Sequence, residues 1–397
     1  MNELLWSICL MSLIILGMIF LLKRYNQPYL IAYIIAGIIM GPYVLGVFSS
    51  PDEIEAVGEI GILLLMFFLG MEINVPDNRS LLIKPIIAQS LKIILSMLCA
   101  LLVGYTIGLS ANSIVMMTIL FMFNSTAVVS EFLKKHNTLQ TALGIVVLNM
   151  LIFQDLLLAP VLTVLKTWNK DGFNLTGILL PIALCVSFFY VIKKVRKARE
   201  ITLPRTFATI EYDHDLQVFL GLLLCLGFGL IAEESGLSAA LGSFIAGVIV
   251  GRVEVFNWLE HSLMPFKIFF VTLFFVSIGL RLDIEFLFEN YTVIFLGTLF
   301  VLVSNSVMSA IIFSFLKHNW KESWYGGALL SQTGEFGILA LSVAYKTGII
   351  EYGLYKQGLG ITCLSLLFST IWIAILNIIL KKIPSQEYTV ENKFLPK

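Results

Sequence analysis

Charge is scarce in this chain. Of its 397 residues only 13% are Asp, Glu, Lys or Arg, where ordinary globular proteins carry about 25%, and 58% are hydrophobic, with a mean hydropathy of +0.92. Nothing in that balance argues for a soluble enzyme, so neither catalytic residues nor a cofactor is expected. No basic surface stands out either. The 26 Lys and Arg are matched by 26 Asp and Glu and sit in short loops, which argues against nucleic acid as a partner. Cysteine is sparse and unpaired: Cys9, Cys99, Cys185, Cys225 and Cys363 all lie inside apolar runs without a CxxC spacing, so they are expected to be small buried side chains. A secretory leader is not expected, because in "LLWSICLMSLIILGMIFLLKRYNQ" (4–27) the positive charges follow the apolar part and no small-residue cleavage site appears. A carbonyl-ring filter such as TVGYG is also lacking, which argues against a channel.

Long apolar runs fill the space that charge leaves. Helices are predicted at 3–22, 27–46, 57–73, 82–108, 113–132, 140–165, 174–192, 215–232, 237–252, 264–280, 289–316, 322–345 and 356–380, most of them long enough to cross a ~30 Å hydrocarbon core. The expectation is an all-α polytopic membrane protein with about 13 spans. With the N-terminus outside, one set of loops collects Lys23, Arg24, Arg79, Lys84, Lys134, Lys135, Arg252, Lys317, Lys321, Lys381, Lys382 and "KKVRKARE" (193–200). The other set holds Lys166, Lys170, Arg281, Lys346 and Lys356 beside the acidic "SSPDEIEAVGE" (49–59). The positive-inside rule therefore places the N-terminus outside and the C-terminus in the cytoplasm of a cell-membrane protein. A transmembrane unit over 1–385 and a short tail over 386–397 are expected.

The chain also repeats itself. "YLIAYIIAGIIMGP" (29–42) resembles "GLSAALGSFIAGVIVG" (236–251), "LLLMFFLGMEIN" (63–74) resembles "VTLFFVSIGLRLD" (271–283), and "FNSTAVVSEF" (123–132) stands where "LSQTGEFGIL" (330–339) stands in the second half. The offsets stay near ~210 residues while the span count reverses direction, which makes an inverted repeat. The halves run over about 27–192 and 237–380, joined by a loop at 193–214. Gly37 with Gly41 and Gly247 with Gly251 are read as close helix packing.

The third pair of segments carries chemistry. "NSTA" (124–127) and "SQTGE" (331–335) put polar residues in the middle of apolar spans, at matching places in the two halves. Such residues break helices and free carbonyl and N–H groups near the midplane, which is tolerable only around a protein-lined or wet cavity. In "NMLIFQDLLLAP" (149–160), Asp155 lies halfway along a third apolar run. An ionised carboxylate there costs several kcal/mol unless it is paired, hydrated or used.

At these residues the chain resembles the second family of monovalent cation:proton antiporters, and within it the Kef-type potassium/proton branch. "PYLIAYIIAGIIMGP", "LLLMFFLGMEIN", "FNSTAVV", "FQD", "PFKIFFVTLFFVSIGL" and "LSQTGEFG" carry the resemblance in this order over nearly the whole chain. It implies a sodium/proton-antiporter-like fold with two crossed discontinuous helices, and a homodimer in which one bundle moves against a dimerisation bundle. Gln154 and Asp155 stand where electrogenic sodium/proton relatives carry two acidic residues, or Asn then Asp. Two departures stand out. The nucleotide-binding regulatory domain of Kef proteins is not in the sequence, so a separate regulatory subunit is a candidate partner. Many relatives carry a lysine midway along the eleventh span, where this chain reads "GTLFVLVSNSVMSA" (297–310) with Ser304, Asn305 and Ser306.

The expected activity is secondary exchange of K+ for H+, with Na+/H+ exchange as the close alternative and an ion channel or ion sensor as another class. Asp155 binds proton and cation (K+ or Na+, transiently) in turn, Gln154 offers an amide without charge, and Asn124, Ser125 and Thr126 are candidate ligands. Ser331, Gln332, Thr333, Gly334 and Glu335 form the second break, with Glu335 balancing helix ends. A single carboxylate beside a neutral amide implies an electroneutral cycle. Glu72 and Lys267 read as snorkelling side chains, Lys92 as a buried lysine whose partner the sequence does not identify, and His136, His214, His261 and His318 as solvated loop residues.

Overall fold

The structure, a computed structural model, describes residues 2–24, 29–48, 51–72, 79–168, 213–234, 238–251 and 257–382. The predicted helix at 174–192, most of the connecting loop and the tail lie outside the described residues. Those residues hold α1 (Asn2–Arg24), α2 (Tyr29–Met40), α3 (Pro51–Glu72), α4 (Arg79–Ile107), α5 (Ala111–Met122), α6 (Thr126–Lys135) and α7 (Ala142–Thr167) in the first half. The second half holds α8 (His214–Glu234), α9 (Ala239–Val250), α10 (Asn257–Leu280), α11 (Ile284–Glu289), α12 (Tyr291–Phe315), α13 (Trp320–Leu329), α14 (Glu335–Lys346) and α15 (Tyr352–Lys382). No strand occurs among the described residues.

Length and composition explain the long helices among these. Seven are long and apolar enough to cross a membrane, including α4, α7, α12 and α15. Pro85, Pro160 and Pro265 sit inside three long helices, a placement that membrane helices tolerate. Side chains close several N-termini: Ser110 accepts from the Ser113 N–H at 3.2 Å, Thr141 from Gly144 at 3.0 Å and Asn319 from Glu322 at 2.8 Å.

Two predicted spans are split, as the polar interruptions in them imply. The 113–132 run becomes α5 (12 residues) and α6 (10 residues), and the 322–345 run becomes α13 (10 residues) and α14 (12 residues). None of the four can cross a bilayer alone. Each pair does so with a break of irregular backbone at its centre, and the longer half comes first in one and last in the other.

The same symmetry shows in packing. Gly37 of α2 meets Gly279 of α10, where a Cβ on either would stand 2.9 Å from the other's Cα. Gly247 of α9 meets Gly70 of α3, and a Cβ on Gly247 would lie 1.9 Å from the Phe67 oxygen. The two contacts are repeat mates, and both require glycine because backbone lies against backbone. The helices α2, α3, α8, α9 and α10 form one bundle; α4–α7 and α12–α15 form a second. The bundles meet where α7 packs on α9 and α2 on α15. Ion pairs also cross this joint, Lys166 (α7) with Glu233 (α8) and Lys346 (α14) with Glu59 (α3).

Candidate functional site

The two breaks cross at the centre of the second bundle. The Gly334 N–H donates to the Phe123 carbonyl at 3.0 Å, and the Asn124 Nδ2 donates to the carbonyls of Leu330 at 3.0 Å and Gln332 at 2.7 Å. Asn124 thereby satisfies two carbonyls that the end of α13 leaves without helical partners. Phe123 and Phe336 close one side, with ring centroids 6.3 Å apart in an edge-on arrangement. Asn124, Ser331 and Gln332 are fully buried, and Ser125 and Thr333 nearly so.

Asp155 enters this crossing from α7. It is 4% exposed, and the Thr126 hydroxyl donates to its Oδ1 at 3.2 Å, with Oδ2 at 3.5 Å. Gln154, one residue before it, works on the backbone of the first break. Its Oε1 accepts from the Asn124 N–H at 2.9 Å, while its Nε2 donates to Asn124 Oδ1 at 3.2 Å and to Gln89 Oε1 at 3.0 Å. Gln89 completes the circuit by donating to the Met122 carbonyl, the last of α5, at 3.4 Å. A buried amide network satisfied in this way rigidifies its surroundings.

The remaining polar residues divide by position. The Ser125 oxygen lies 3.4 Å from the Val128 nitrogen at the start of α6. Glu335 begins α14, where the helix N-terminus favours negative charge. Its Oε2 is buried with no hydrogen-bond partner among the described residues. Ser331 instead turns to its neighbour, donating to Gln332 Oε1 at 3.2 Å. The Thr333 N–H donates to the Ser365 hydroxyl of α15 at 3.3 Å. Asn124, Ser125, Thr126, Gln154, Asp155, Gly334 and Glu335 are therefore brought together, whereas Ser331 and Thr333 serve the break from its edges.

Gln89 escapes prediction at this depth, and the partners of the buried Lys92 are not legible in the sequence. Gln89 has a sequence signal, a polar residue three positions before Lys92 in an otherwise apolar run, but only the fold brings it to Gln154. Lys92 is fully buried and does have partners, donating to Asn305 Oδ1 at 2.9 Å and to Ser309 Oγ at 3.1 Å on α12. The eleventh predicted span does lack a lysine, yet a lysine reaches it from α4. Lys267 lies over the Phe68 ring at 4.7 Å, in keeping with a long side chain resting its stem on apolar surface.

Crossed half-helices with a carboxylate at their centre define a membrane ion exchanger fold. The chain belongs to the sodium/hydrogen exchanger transmembrane family, which it matches over residues 10–379. Among solved structures it is similar to the sodium proton antiporter MjNhaP1 from Methanocaldococcus jannaschii, at a TM-score of 0.67 and 16% identity over 96% of this chain and all of that one. By sequence it is 28% identical to the iron transporter MagA of Paramagnetospirillum magneticum over 89% of this chain and 81% of that protein. It is also 28% identical to K(+) efflux antiporter 5 of Arabidopsis thaliana over 91% of this chain, and 27% identical to the glutathione-regulated potassium-efflux protein KefC of Escherichia coli over 89%. The chain spans 65% and 57% of the length of those two potassium antiporters.

Proposed function

We propose that this protein exchanges a monovalent cation, K+ foremost, for H+ across the membrane, with Asp155 binding the two in turn. The observation that carries this reading is a buried carboxylate at the crossing of two broken helices, to which the neutral Thr126 hydroxyl donates. A carboxylate at that depth is stable when it holds a proton or a cation and costly when it holds neither. Proton and cation then compete for one place, and each crossing of the membrane carries one or the other. Thr126, Ser125 and the Asn124 backbone offer the hard oxygens that replace a cation's water shell. Gln154 keeps the break in register and adds no charge, so one-for-one exchange is electroneutral.

The K+ preference draws support from similarity to proteins named as potassium efflux antiporters, and from glutamine rather than a second carboxylate at position 154. Na+/H+ exchange is the second reading, favoured by the family description and by the fold neighbour. One carboxylate among neutral oxygens suits a monovalent hard cation better than iron, the cargo in the name of the MagA relative. The transport unit in this reading is 1–385, oriented N-out and C-in, working as a homodimer, with a separate subunit as the candidate regulator. Proteoliposome exchange with K+, Na+, Rb+ and Li+ compared side by side tests it. Proton flux driven by none of these cations would overturn it.

A further inference from the structure

Among the described residues three ion pairs leave the bundle that holds Asp155, and all three have the same polarity. The cation is each time a lysine of that bundle: Lys166 at the end of α7, Lys346 at the end of α14 and Lys356 near the start of α15. The carboxylate each time lies outside it: Glu233 at the end of α8, Glu59 in α3 and Asp283 in the link from α10 to α11. The pairs stand on one face of the protein. Asn112, at the start of α5, donates to the Ile349 carbonyl in the turn between α14 and α15 at 3.1 Å, so α5 starts on the face where α14 ends and α15 begins. The α5–α6 pair crosses from there and α7 crosses back, which returns Lys166 to the same face. The N-out orientation proposed above makes this the outer face.

The packing around α7 has the same one-sidedness. From Asp155 toward the ion-pair face, Leu158, Leu162 and Leu165 are buried in one apolar cluster with Ile34 of α2, Met66 of α3 and Leu241 and Phe244 of α9. At that level the buried hydroxyls of Thr163 on α7 and Ser238, the N-cap of α9, lie 3.1 Å apart. From Asp155 toward the opposite face, Val147, Met150 and Leu151 are buried in a different cluster, whose described members all belong to the second bundle and its turns. The joint is therefore packed shut on the ion-pair side of Asp155, whereas the other half of α7 buries these three residues without the first bundle.

We infer that Lys166 and Lys346, with Lys356 on the same face, form a latch that holds the exchange bundle closed at this face, so that Asp155 loads from the opposite face in the resting protein. The inference rests on the antiport reading and deepens it, because it names residues that set the balance between the two access states. In alternating access the bundle that carries Asp155 has to part from its neighbour at this face, and the pairs break in that step. All the cations ride on one bundle and all the carboxylates sit off it, so their attractions across the joint add. Each pair alone is weak, since the Lys166 and Lys346 side chains are 40% exposed and their partners 54%. Two access states separated by a small free energy are nonetheless shifted by contacts that only one of them makes.

Opening at this face can be read by a thiol probe that needs no transport. Ser238→Cys, in the full chain with its five native cysteines replaced by alanine, puts a thiol in the sealed half of the joint, and Asn149→Cys puts one on the opposite half of α7. The reaction of each with a water-soluble maleimide is followed in purified protein. Adding Lys166→Gln and Lys346→Gln should speed labelling at position 238 by roughly two- to five-fold for each pair removed, with no rise at position 149. Reversing the charges, Lys166→Glu with Glu233→Lys and Lys346→Glu with Glu59→Lys, should return labelling at position 238 toward its starting rate. Unchanged labelling at position 238 overturns the inference, and so does an equal rise at both positions, which is general loosening and not a latch. If the lysine variants do not fold, salt decides: about 1 M choline chloride shortens the screening length to roughly 3 Å and should speed labelling at position 238 alone. No such rise overturns the latch. Failure of the wild type to exchange any cation for protons in proteoliposomes would sink the antiport reading, while the labelling rates still judge the latch.

Discussion

Asn124 and Gly334 meet so closely that no other side chain fits between them: a Cβ on Gly334 would stand 2.6 Å from the Asn124 carbonyl carbon and 2.7 Å from the Ser125 nitrogen. The Gly334 backbone is extended, with φ at −87°, so the constraint is contact and not conformation. Gly334→Ala must push the two breaks apart, an overpacking that costs about 1–3 kcal/mol. It should lengthen the Asn124 bonds to Leu330 and Gln332 and lower exchange far more than it lowers folded yield. Exchange rate normalised to purified protein checks this, and a normal rate would mean that the crossing tolerates separation.

Asp155→Asn keeps the size and much of the hydrogen-bonding capacity of the side chain while removing its charge. Thr126 can still bond the amide oxygen, so the protein should fold and melt close to the wild type. Cation-driven proton flux should vanish, because an amide neither titrates nor neutralises a bound cation. Near-normal flux in this variant would transfer the central role to another carboxyl group, with Glu335 the next to test.

Much of this arrangement is legible in the sequence, and the parts that are not have a common cause. The spans follow from apolar length, and the crossing from two polar interruptions at one repeat offset, both of them local or periodic features. The glycines read as packing residues do pack, with Gly37 against Gly279 and Gly247 against Gly70. What stays hidden is partnership across helices. "AQSLK" shows that Gln89 and Lys92 are polar, but their bonds run to residues 65 and 213 positions away. Ser365 is equally silent, since a serine in an apolar helix usually bonds back to its own preceding turn, as this one also does with Thr362.

At the end of the joint near α11, Asp283 caps that helix and accepts a bond from Lys356 at 2.7 Å. Burial disfavours the charged carboxyl, but the bonds from Lys356 and the Phe286 N–H, together with the Lys356 charge, outweigh it and hold the Asp283 pKa below its ordinary value. A carboxyl whose folded pKa is depressed contributes stability above its unfolded pKa, near 3.9, and loses it as pH falls through the folded value. The wild type should therefore lose this increment only below about pH 4. Lys356→Met should lower the melting temperature at neutral pH by about 2 °C or less, as a partly exposed pair allows, and flatten the acid limb. Melting curves from pH 3 to pH 7 for both proteins check it, and parallel acid limbs would show that the pair contributes nothing.

Electroneutral exchange follows if Asp155 is the one group that changes its charge state and Lys92 keeps its own. An imposed membrane potential should then leave the initial K+/H+ exchange rate in proteoliposomes almost unchanged. A strong voltage dependence would mean that a second charge moves or titrates in the cycle. Glu335, with one carboxylate oxygen buried and unpartnered among the described residues, would be the first suspect.

Gln154 is the residue at which stoichiometry and ion choice can be changed together. Its Oε1 accepts the Asn124 N–H and its Nε2 donates to Gln89 and to Asn124 Oδ1, so Gln154→Asp shortens the side chain and discards both donated bonds. Some loosening of the first break is expected, and Gln154→Asn, which shortens the side chain without adding charge, separates that loss from the electrostatic effect. The new carboxylate repels Asp155, which raises one apparent pKa of the pair and makes the cavity more anionic whenever both are ionised. Concentrated negative charge favours the cation of higher charge density, so Na+ should gain on K+ in Gln154→Asp and not in Gln154→Asn. A two-carboxylate site can also carry an unequal number of protons and cations, which would make transport voltage-sensitive. Apparent Na+ and K+ affinities of the three proteins, measured in one proteoliposome preparation each, decide the matter. An unchanged Na+/K+ ratio in Gln154→Asp would place selectivity in the oxygens of Asn124, Ser125 and Thr126 instead.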